Sequence, residues 1–498
     1  MEQKAELRLN LIVSLTVQVV GYIVNFFTKQ AILKGLGAEY LGLQTVCGNA
    51  SDLLNMAFSA IGLVMLVELF TPLAYHDEKA LREIFSFFDR IYRLLSLGVI
   101  VVGVFLTGVV LLVVNGNLSV STIVLSYLLY LASVVLFNRF LMNYYFLIAD
   151  QKRYVQAIIC SAGDVLGLLA ELAVIYRLNS YLGFLIVILL KNAAEAAVVA
   201  SYRRKHYPYL NQRSGSVRTE LQTKVYRNIK DMVVSRIGTL LLYNTDSIII
   251  SAVISTAVSG YYSAYYFVAC GLIYCVNAIY EAIRPKVGQL SVKNTKKQQY
   301  SLLIPASLAN TFMAAVLITG FVFLVRDFIT LWMGEEALLE GPLVPLMAVN
   351  LYLTMIRNAT TAFREAEGLF RKISRVILLR GLLNVGLSFV LGYKMGLIGI
   401  ILATTISEVL TYFWYDPYII LRNYEHSFLP EIGFQLFSVS VVLISVFVTG
   451  RLLPTFEKVS WLGFVLKGIW IVTVSGLISG TLSGIAFLLL KKRMEVDS

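Results

Sequence analysis

The sequence predicts an all-α polytopic membrane protein of about 14 transmembrane helices. Three observations carry that expectation. The chain of 498 residues is 58% hydrophobic and only 14% charged. Apolar runs close to the ~20 residues that cross a bilayer recur along its whole length. Lys and Arg gather in every second loop, as the positive-inside rule requires of a multi-span protein. The formal net charge of +12 is also compatible with nucleic acid. Its placement in short alternate loops assigns it to membrane topology instead, so no nucleic-acid partner is expected.

The spans are expected at 9–33, 40–72, 91–114, 120–148, 154–176, 180–201, 230–254, 258–283, 301–325, 341–363, 373–393, 396–420, 431–450 and 460–490. The first apolar run follows MEQKAELR and is about 24 residues long, too long for a signal-peptide core, so it reads as an uncleaved span. Basic loops follow the second span (Lys79, Arg82, Arg90), the fourth (Lys152, Arg153), the eighth (Lys286, Lys293) and the tenth (Arg364, Arg371, Lys372). The connector between the halves holds Arg203, Arg204, Lys205, Arg213, Arg218 and others. Segments 115–121 and 251–260 carry no Lys or Arg. Both termini are therefore expected in the cytoplasm. The longest external loop is expected around 326–341, opening at Phe328 and Trp332.

Four segments follow: a six-helix bundle over 1–201, a basic cytoplasmic connector over 202–229, a second six-helix bundle over 230–425, and two additional helices over 426–498. A weak repeat relates the bundles. Gly183 precedes Glu195, and Gly396 precedes Glu408, by the same twelve residues. The bundles are thus expected in parallel orientation, related by a pseudo-twofold axis along the membrane normal. The last two helices read as lipid-facing, with Gly476, Gly480 and Gly484 as a small-residue packing stripe. The cysteines Cys47, Cys160, Cys270 and Cys275 all lie in apolar runs and read as small buried hydrophobes. They have neither disulfide nor zinc spacing, and no cofactor or metal is expected.

Polar residues recur on single helical faces inside the spans. These faces are Gln18, Tyr22, Asn25 and Lys29 in the first span; Gln44, Asp52, Asn55 and Ser59 in the second; and Arg236, Thr239, Tyr243 and Asp246 in the seventh. The eighth adds Ser263, Tyr266 and Asn277; the tenth Asn350, Thr354, Arg357 and Thr361; the eleventh Arg380, Asn384 and Ser388. Such faces avoid lipid, because a charge at membrane depth costs roughly 2.5–3.5 kcal/mol on insertion scales. Helix–helix glue accounts for many single Ser, Thr and Asn residues. Lys191 and Glu195 lie at i, i+4 and can neutralise each other, while Lys29 and Lys467 sit near span ends and can snorkel. The deep arginines Arg139, Arg236, Arg357 and Arg380 are expected to find counter-charges in Asp52, Asp164 and Asp246. Their surplus suits an anionic ligand, since a guanidinium fork matches phosphate oxygens.

The stretches LGAEYLGLQTVCGNASDLLNMAFSAIGLVM (36–65), YNTDSIIIS (243–251) and SGYYSAYYF (259–267), with the six-plus-six-plus-two plan, carry a resemblance. The chain resembles the polysaccharide transporters of the multidrug/oligosaccharidyl-lipid/polysaccharide exporter superfamily, the Wzx-type flippases of bacterial capsule and O-antigen clusters. The resemblance covers essentially the whole chain. It implies a central cavity lined by the first, second, seventh and eighth spans. It also implies alternating-access transfer of undecaprenyl-pyrophosphate-linked oligosaccharide between leaflets of the bacterial cytoplasmic membrane, with a polysaccharide polymerase and other assembly proteins as partners. On this basis Arg236, Asn25, Lys29, Asn55, Tyr243, Asn277, Arg357, Arg380 and Arg139 are the substrate-site candidates. Asp52 and Asp246 are the candidate acids for coupling to H+ or Na+, because both lie on polar faces in different halves. Two other readings remain within transporters: a lipid II flippase, and a cation-coupled drug exporter. A membrane polymerase or acyltransferase needs a catalytic constellation, and no histidine lies within any expected span.

Overall fold

The computed structural model describes residues 2–212, 222–223, 225–227, 229, 245–293, 295–454 and 459–496. Every regular element among them is helical. The chain forms two compact units, Met1–Gly260 and Tyr261–Ser498.

The first unit contains α1 (Glu2–Leu36), α2 (Ala38–Ala74), α3 (Glu78–Val113), α4 (Val120–Arg139), α5 (Leu141–Ala149), α6 (Arg153–Ala173), α7 (Tyr181–His206) and α8 (Thr245–Val253). Helix α9 (Thr256–Lys293) crosses the division. The second unit contains α10 (Lys296–Met333), α11 (Leu343–Met355), α12 (Asn358–Ala366), α13 (Phe370–Met395), α14 (Leu397–Leu410), α15 (Tyr412–Asn423), α16 (Leu429–Leu452) and α17 (Trp461–Val496). Several helix starts are written in the sequence: Asp77, Ser119 and Ser180 each accept the backbone N–H three residues on, and Thr295 forms a capping box with Gln298.

Eleven of the described helical segments are long and apolar enough to cross a membrane, and they fall on eleven expected spans. The chain is a multi-pass membrane protein. Of the remaining three spans, the first lies within α1, and most of the seventh lies outside the described residues. The tenth departs from expectation: it is not one run but two short helices, α11 and α12, interrupted at Ile356 and Arg357. Buried Asn310 donates from Nδ2 to the carbonyls of Met355 (2.7 Å) and Ile356 (2.8 Å), taking acceptors a continuous helix would use. The fourth span is interrupted likewise at Phe140, whose carbonyl accepts from Asn143 Nδ2 at 2.9 Å.

These breaks expose the true register of the repeat. Helices α5 and α12 are each nine residues long, and their starts, 141 and 358, differ by 217. The same offset relates Gln151 (φ 58°) to Gly368 (φ 70°), and Asn179 (φ 47°) to Gly396 (φ 62°). It also relates the Tyr207–Asp150 hydrogen bond to the Tyr424–Glu367 one. Gly396 therefore corresponds to Asn179 and not to Gly183, and Glu408 corresponds to Lys191 and not to Glu195. The left-handed turn before the helix is what the halves share, and Gly and Asn both adopt it at low cost.

Other expectations are corrected by packing. Helix α10 runs on to Met333, so the expected loop at 326–341 shortens to the stretch before α11, and Trp332 is fully buried. Arg364 and Arg203, read as loop and connector charges, are buried within α12 and α7. The stripe on α17 that meets protein is Ile471, Ser475, Ser479 and Ser483, all buried. Of the expected glycines, Gly480 lies near Phe312, while a Cβ at Gly476 or Gly484 would meet nothing within 4 Å. Small hydroxyl residues thus line the contact with α10, and the Oγ atoms of Ser475 and Ser479 are satisfied by carbonyls one turn back (both 2.6 Å). Lys467 does not snorkel; it bonds Asp327 at 2.7 Å. Of the cysteines only Cys47 is buried; Cys275 is exposed.

Candidate functional site

The first unit has two apolar cores. One, built on Leu41, Val46, Tyr127 and Phe184, sits toward the loops at 37 and 180. The other, built on Phe58, Phe88, Tyr92 and Phe146, sits toward the 207 end. Around the junction of the two cores α2 carries Ser51, Asp52 and Asn55, α4 carries Ser133 and Asn138, and α7 carries Lys191, Asn192 and Glu195, so a layer of polar side chains crosses the bundle at this level. A groove of about 200 Å³ opens in that layer, with Ser51, Asp52, Asn55, Asn138 and Asn192 among its walls. Asn138 donates to Asn55 Oδ1 (2.5 Å), Asn192 donates to Ser133 Oγ (2.6 Å), and Asn55 hydrogen-bonds the Asp52 carboxylate. Asp52 itself is exposed. A carboxylate held by amides yet open to the groove can exchange a proton or hold a monovalent cation.

On the far side of α7 the same layer is closed by charge pairing. Lys191 donates to Asp164 at 2.6 Å and lies 3.7 Å from Glu195, and buried Glu171 accepts from Thr28 at 2.9 Å. Asp164 is therefore the partner of Lys191 and not of a deep arginine. On α1, Asn25 is exposed and donates to the Gly21 carbonyl (3.0 Å), and Lys29 is half-buried.

In the second unit Arg357, Arg364, Arg380, Glu408 and Asp416 are buried. Glu408 forms ion pairs with Arg357, at 2.6 Å to Nη2, and with Arg380. The three residues are 2%, 5% and 7% exposed. Tyr412, one turn on, lies under the Arg357 guanidinium at 4.1 Å and that of Arg380 at 5.6 Å. One turn further, Asp416 accepts from Arg364 Nε, from Thr361 Oγ1 (2.8 Å) and from Thr360 Oγ1 (3.3 Å). Glu408, Tyr412 and Asp416 thus form a ladder at i, i+4 and i+8 that holds the broken tenth span to α14 and α15. For Arg357 and Arg380 the counter-charge is Glu408, and for Arg139 it is Asp89 (2.9 Å), in place of the expected Asp52 and Asp164; the pairing of Arg236 lies outside the described residues. The sequence reading put Arg364 in a loop and passed over Asp416, although Glu408, Tyr412 and Asp416 recur at four-residue spacing. Asn350, expected on a polar stripe with Arg357, instead bonds the Ile401 carbonyl and accepts from Thr405 (2.7 Å), joining α11 to α14.

Asn277 is half-buried on α9, and Asp246 is half-buried at the start of α8. Arg236 and Tyr243 lie outside the described residues. The turn between α8 and α9 is fastened to the 113–115 turn: Thr256 N–H donates to the Asn115 carbonyl (2.9 Å), Asn115 N–H to Thr256 Oγ1 (2.9 Å), and Ser251 Oγ to the Val113 carbonyl (3.0 Å). At the other end, Lys152 donates to Tyr207 Oη at 2.7 Å, and Tyr207 donates to Asp150. Burial and the adjacent Asp150 carboxylate push the Tyr207 hydroxyl up, so it remains a donor.

No family model matches the sequence, and no curated protein matches it. Solved structures do resemble the fold. The lipid II flippase MurJ in an inward closed conformation superposes with a TM-score of 0.69 at 16% identity, covering 96% of this chain and 99% of that one. An inward-facing multidrug resistance MATE family transporter of the MOP superfamily gives 0.67 at 14% identity, covering 82% of this chain and 98% of its own. An outward-facing conformation of a MATE family transporter gives 0.58 at 13%, covering 85% and 96%. The fold is thus shared with a flippase and with drug transporters, and the flippase extends over more of this chain than either transporter.

Proposed function

We propose that this protein is a flippase that moves undecaprenyl-pyrophosphate-linked oligosaccharide repeat units across the bacterial cytoplasmic membrane by alternating access, for capsule, O-antigen or exopolysaccharide synthesis. The observation that carries the flippase reading is the fold match over 96% of the chain to a lipid II flippase, against 82% and 85% for drug transporters. The choice of oligosaccharide rests on the sequence resemblance in 36–65 and 243–267. In this reading both termini are cytoplasmic, a polysaccharide polymerase takes the product, and no catalytic step falls to this chain. Arg236, a substrate-site candidate of the sequence, is assigned here to the pyrophosphate, because a guanidinium fork matches phosphate oxygens, with Tyr243, Asn25, Lys29, Asn55 and Asn277 along the path. The same fold match favours lipid II as a second reading. A strain lacking the protein decides between them. Accumulation of a lipid-linked capsule or O-antigen repeat on the inner leaflet is the expected result, and accumulation of lipid II instead assigns the second reading.

Asp52 is the proposed coupling acid of the first unit, with Asp246 as its counterpart from the seventh span. In reconstituted vesicles, Asp52→Asn is expected to leave substrate binding intact and to remove the response of flipping to an imposed pH or Na+ gradient. A variant whose gradient response matches the wild type would eliminate Asp52 from coupling.

A further inference from the structure

The 207 end of the first unit holds an open cavity of about 480 Å³, separate from the polar groove. Among the described residues, Arg90, Arg93, Arg139, Arg203 and Arg204 line it, with Asp89 as the single carboxylate. Asp89 is already shared by Arg93 (3.0 Å) and Arg139 (2.9 Å). Arg203 is buried and fixed: Nε donates to Asn143 Oδ1 (3.0 Å), Nη1 donates to Asn211 Oδ1 (2.5 Å), and the guanidinium lies 4.9 Å from the centre of the Phe85 ring. Five guanidiniums around one carboxylate repel one another, and the arrangement is relieved when an anion enters.

The fold itself does not require these charges. At the 217-residue offset of the repeat, Arg139, Arg203 and Arg204 correspond to Ile356, Ile420 and Leu421, all buried and apolar. The helix starts place α3 against α10 at 218 (Glu78 and Lys296), where Arg93 corresponds to Thr311. Thr311 is covered by Ser438 of α16 at 2.9 Å. The first unit has no such covering helix among its described residues. Its α3 face continues past the arginines into Leu94, Leu97 and Val101, which are 63%, 62% and 71% exposed. A cluster of guanidinium forks beside an open apolar face fits a phosphate group carried on a hydrocarbon chain.

We propose that this cavity binds a phosphate- or diphosphate-bearing head group. The proposal is independent of which substrate the protein carries, because it concerns equilibrium binding alone. The test uses the full chain in phosphatidylcholine nanodiscs. Binding is measured for added phosphatidic acid and, separately, for inorganic pyrophosphate. The wild type is compared with Arg90→Ala/Arg93→Ala/Arg204→Ala and with Lys296→Ala/Lys297→Ala/Arg422→Ala, which removes equal charge from the second unit. The expected result is at least about tenfold weaker binding in the first variant alone, from the loss of three charge-assisted contacts. Phosphatidic acid bound with pyrophosphate as its competitor identifies a lipid as the source of the phosphate. Pyrophosphate bound without the lipid identifies a soluble phosphate. Both outcomes support the site. Equal affinity in all three proteins, or an equal loss in both variants, overturns it. If the triple variant does not assemble, the single Arg204→Ala, at an exposed position, carries the same comparison with a loss of about threefold expected.

Discussion

Glu408→Gln is expected to strip the protein from the membrane or to lower its thermal midpoint sharply. The carboxylate is the shared partner of Arg357 and Arg380, and all three are buried. Removing one member of a buried ion pair costs roughly 3–5 kcal/mol, because the charge left behind stays desolvated. Here one substitution leaves two guanidiniums unneutralised beside Tyr412. Natural domains are stable by only about 5–15 kcal/mol, so the loss is a large share of the total. The double variant Glu408→Gln/Arg380→Met removes one of the stranded charges and is expected to recover part of the loss. Yield of monodisperse protein and thermal unfolding in detergent are the measurements. A Glu408→Gln protein with a wild-type midpoint would show that water reaches the two arginines and that the ladder does not hold the tenth span.

Gly42→Ala is the second large effect. A Cβ at Gly42 would lie 1.8 Å from the backbone oxygen of Thr256, and one at Gly260 would lie 2.7 Å from that of Ala38. Helices α2 and α9 cross here with backbone against backbone, so no side chain can turn aside. The methyl must push the start of α9 away from α2 and pull Thr256 from Asn115, where two hydrogen bonds of 2.9 Å fasten the turn. Alanine favours a helix by about 1 kcal/mol over glycine, so propensity alone predicts a gain. Overpacking of about 1–3 kcal/mol or more reverses the sign. Gly48→Ala is the control: it lies in the same helix and its Cβ would meet nothing within 4 Å. Loss of thermal stability in Gly42→Ala, with the thermal midpoint of Gly48→Ala unchanged, is expected. Equal behaviour of the two would show that the crossing relaxes freely.

The class of this protein is legible in its sequence. Span length and apolar content place eleven helices where the described chain has them, because a bilayer admits only segments whose backbone bonds are satisfied internally. Polar spacing likewise put Asp52 and Asn55 on one face of the second span, and both line one groove. Pairing was decided only in three dimensions. Arg357 lies 51 positions from Glu408 in sequence, and Arg139 lies 50 from Asp89. Nothing along one helix tells which charge on another will meet it. The break in the tenth span is equally tertiary: 341–363 is apolar enough to run on, and it is Asn310, on α10, that takes its carbonyls. The repeat's register was hidden for a related reason. Matching residue types aligned Gly396 with Gly183, whereas the conserved quantity is a left-handed backbone turn, which Asn179 supplies in one half and Gly396 in the other.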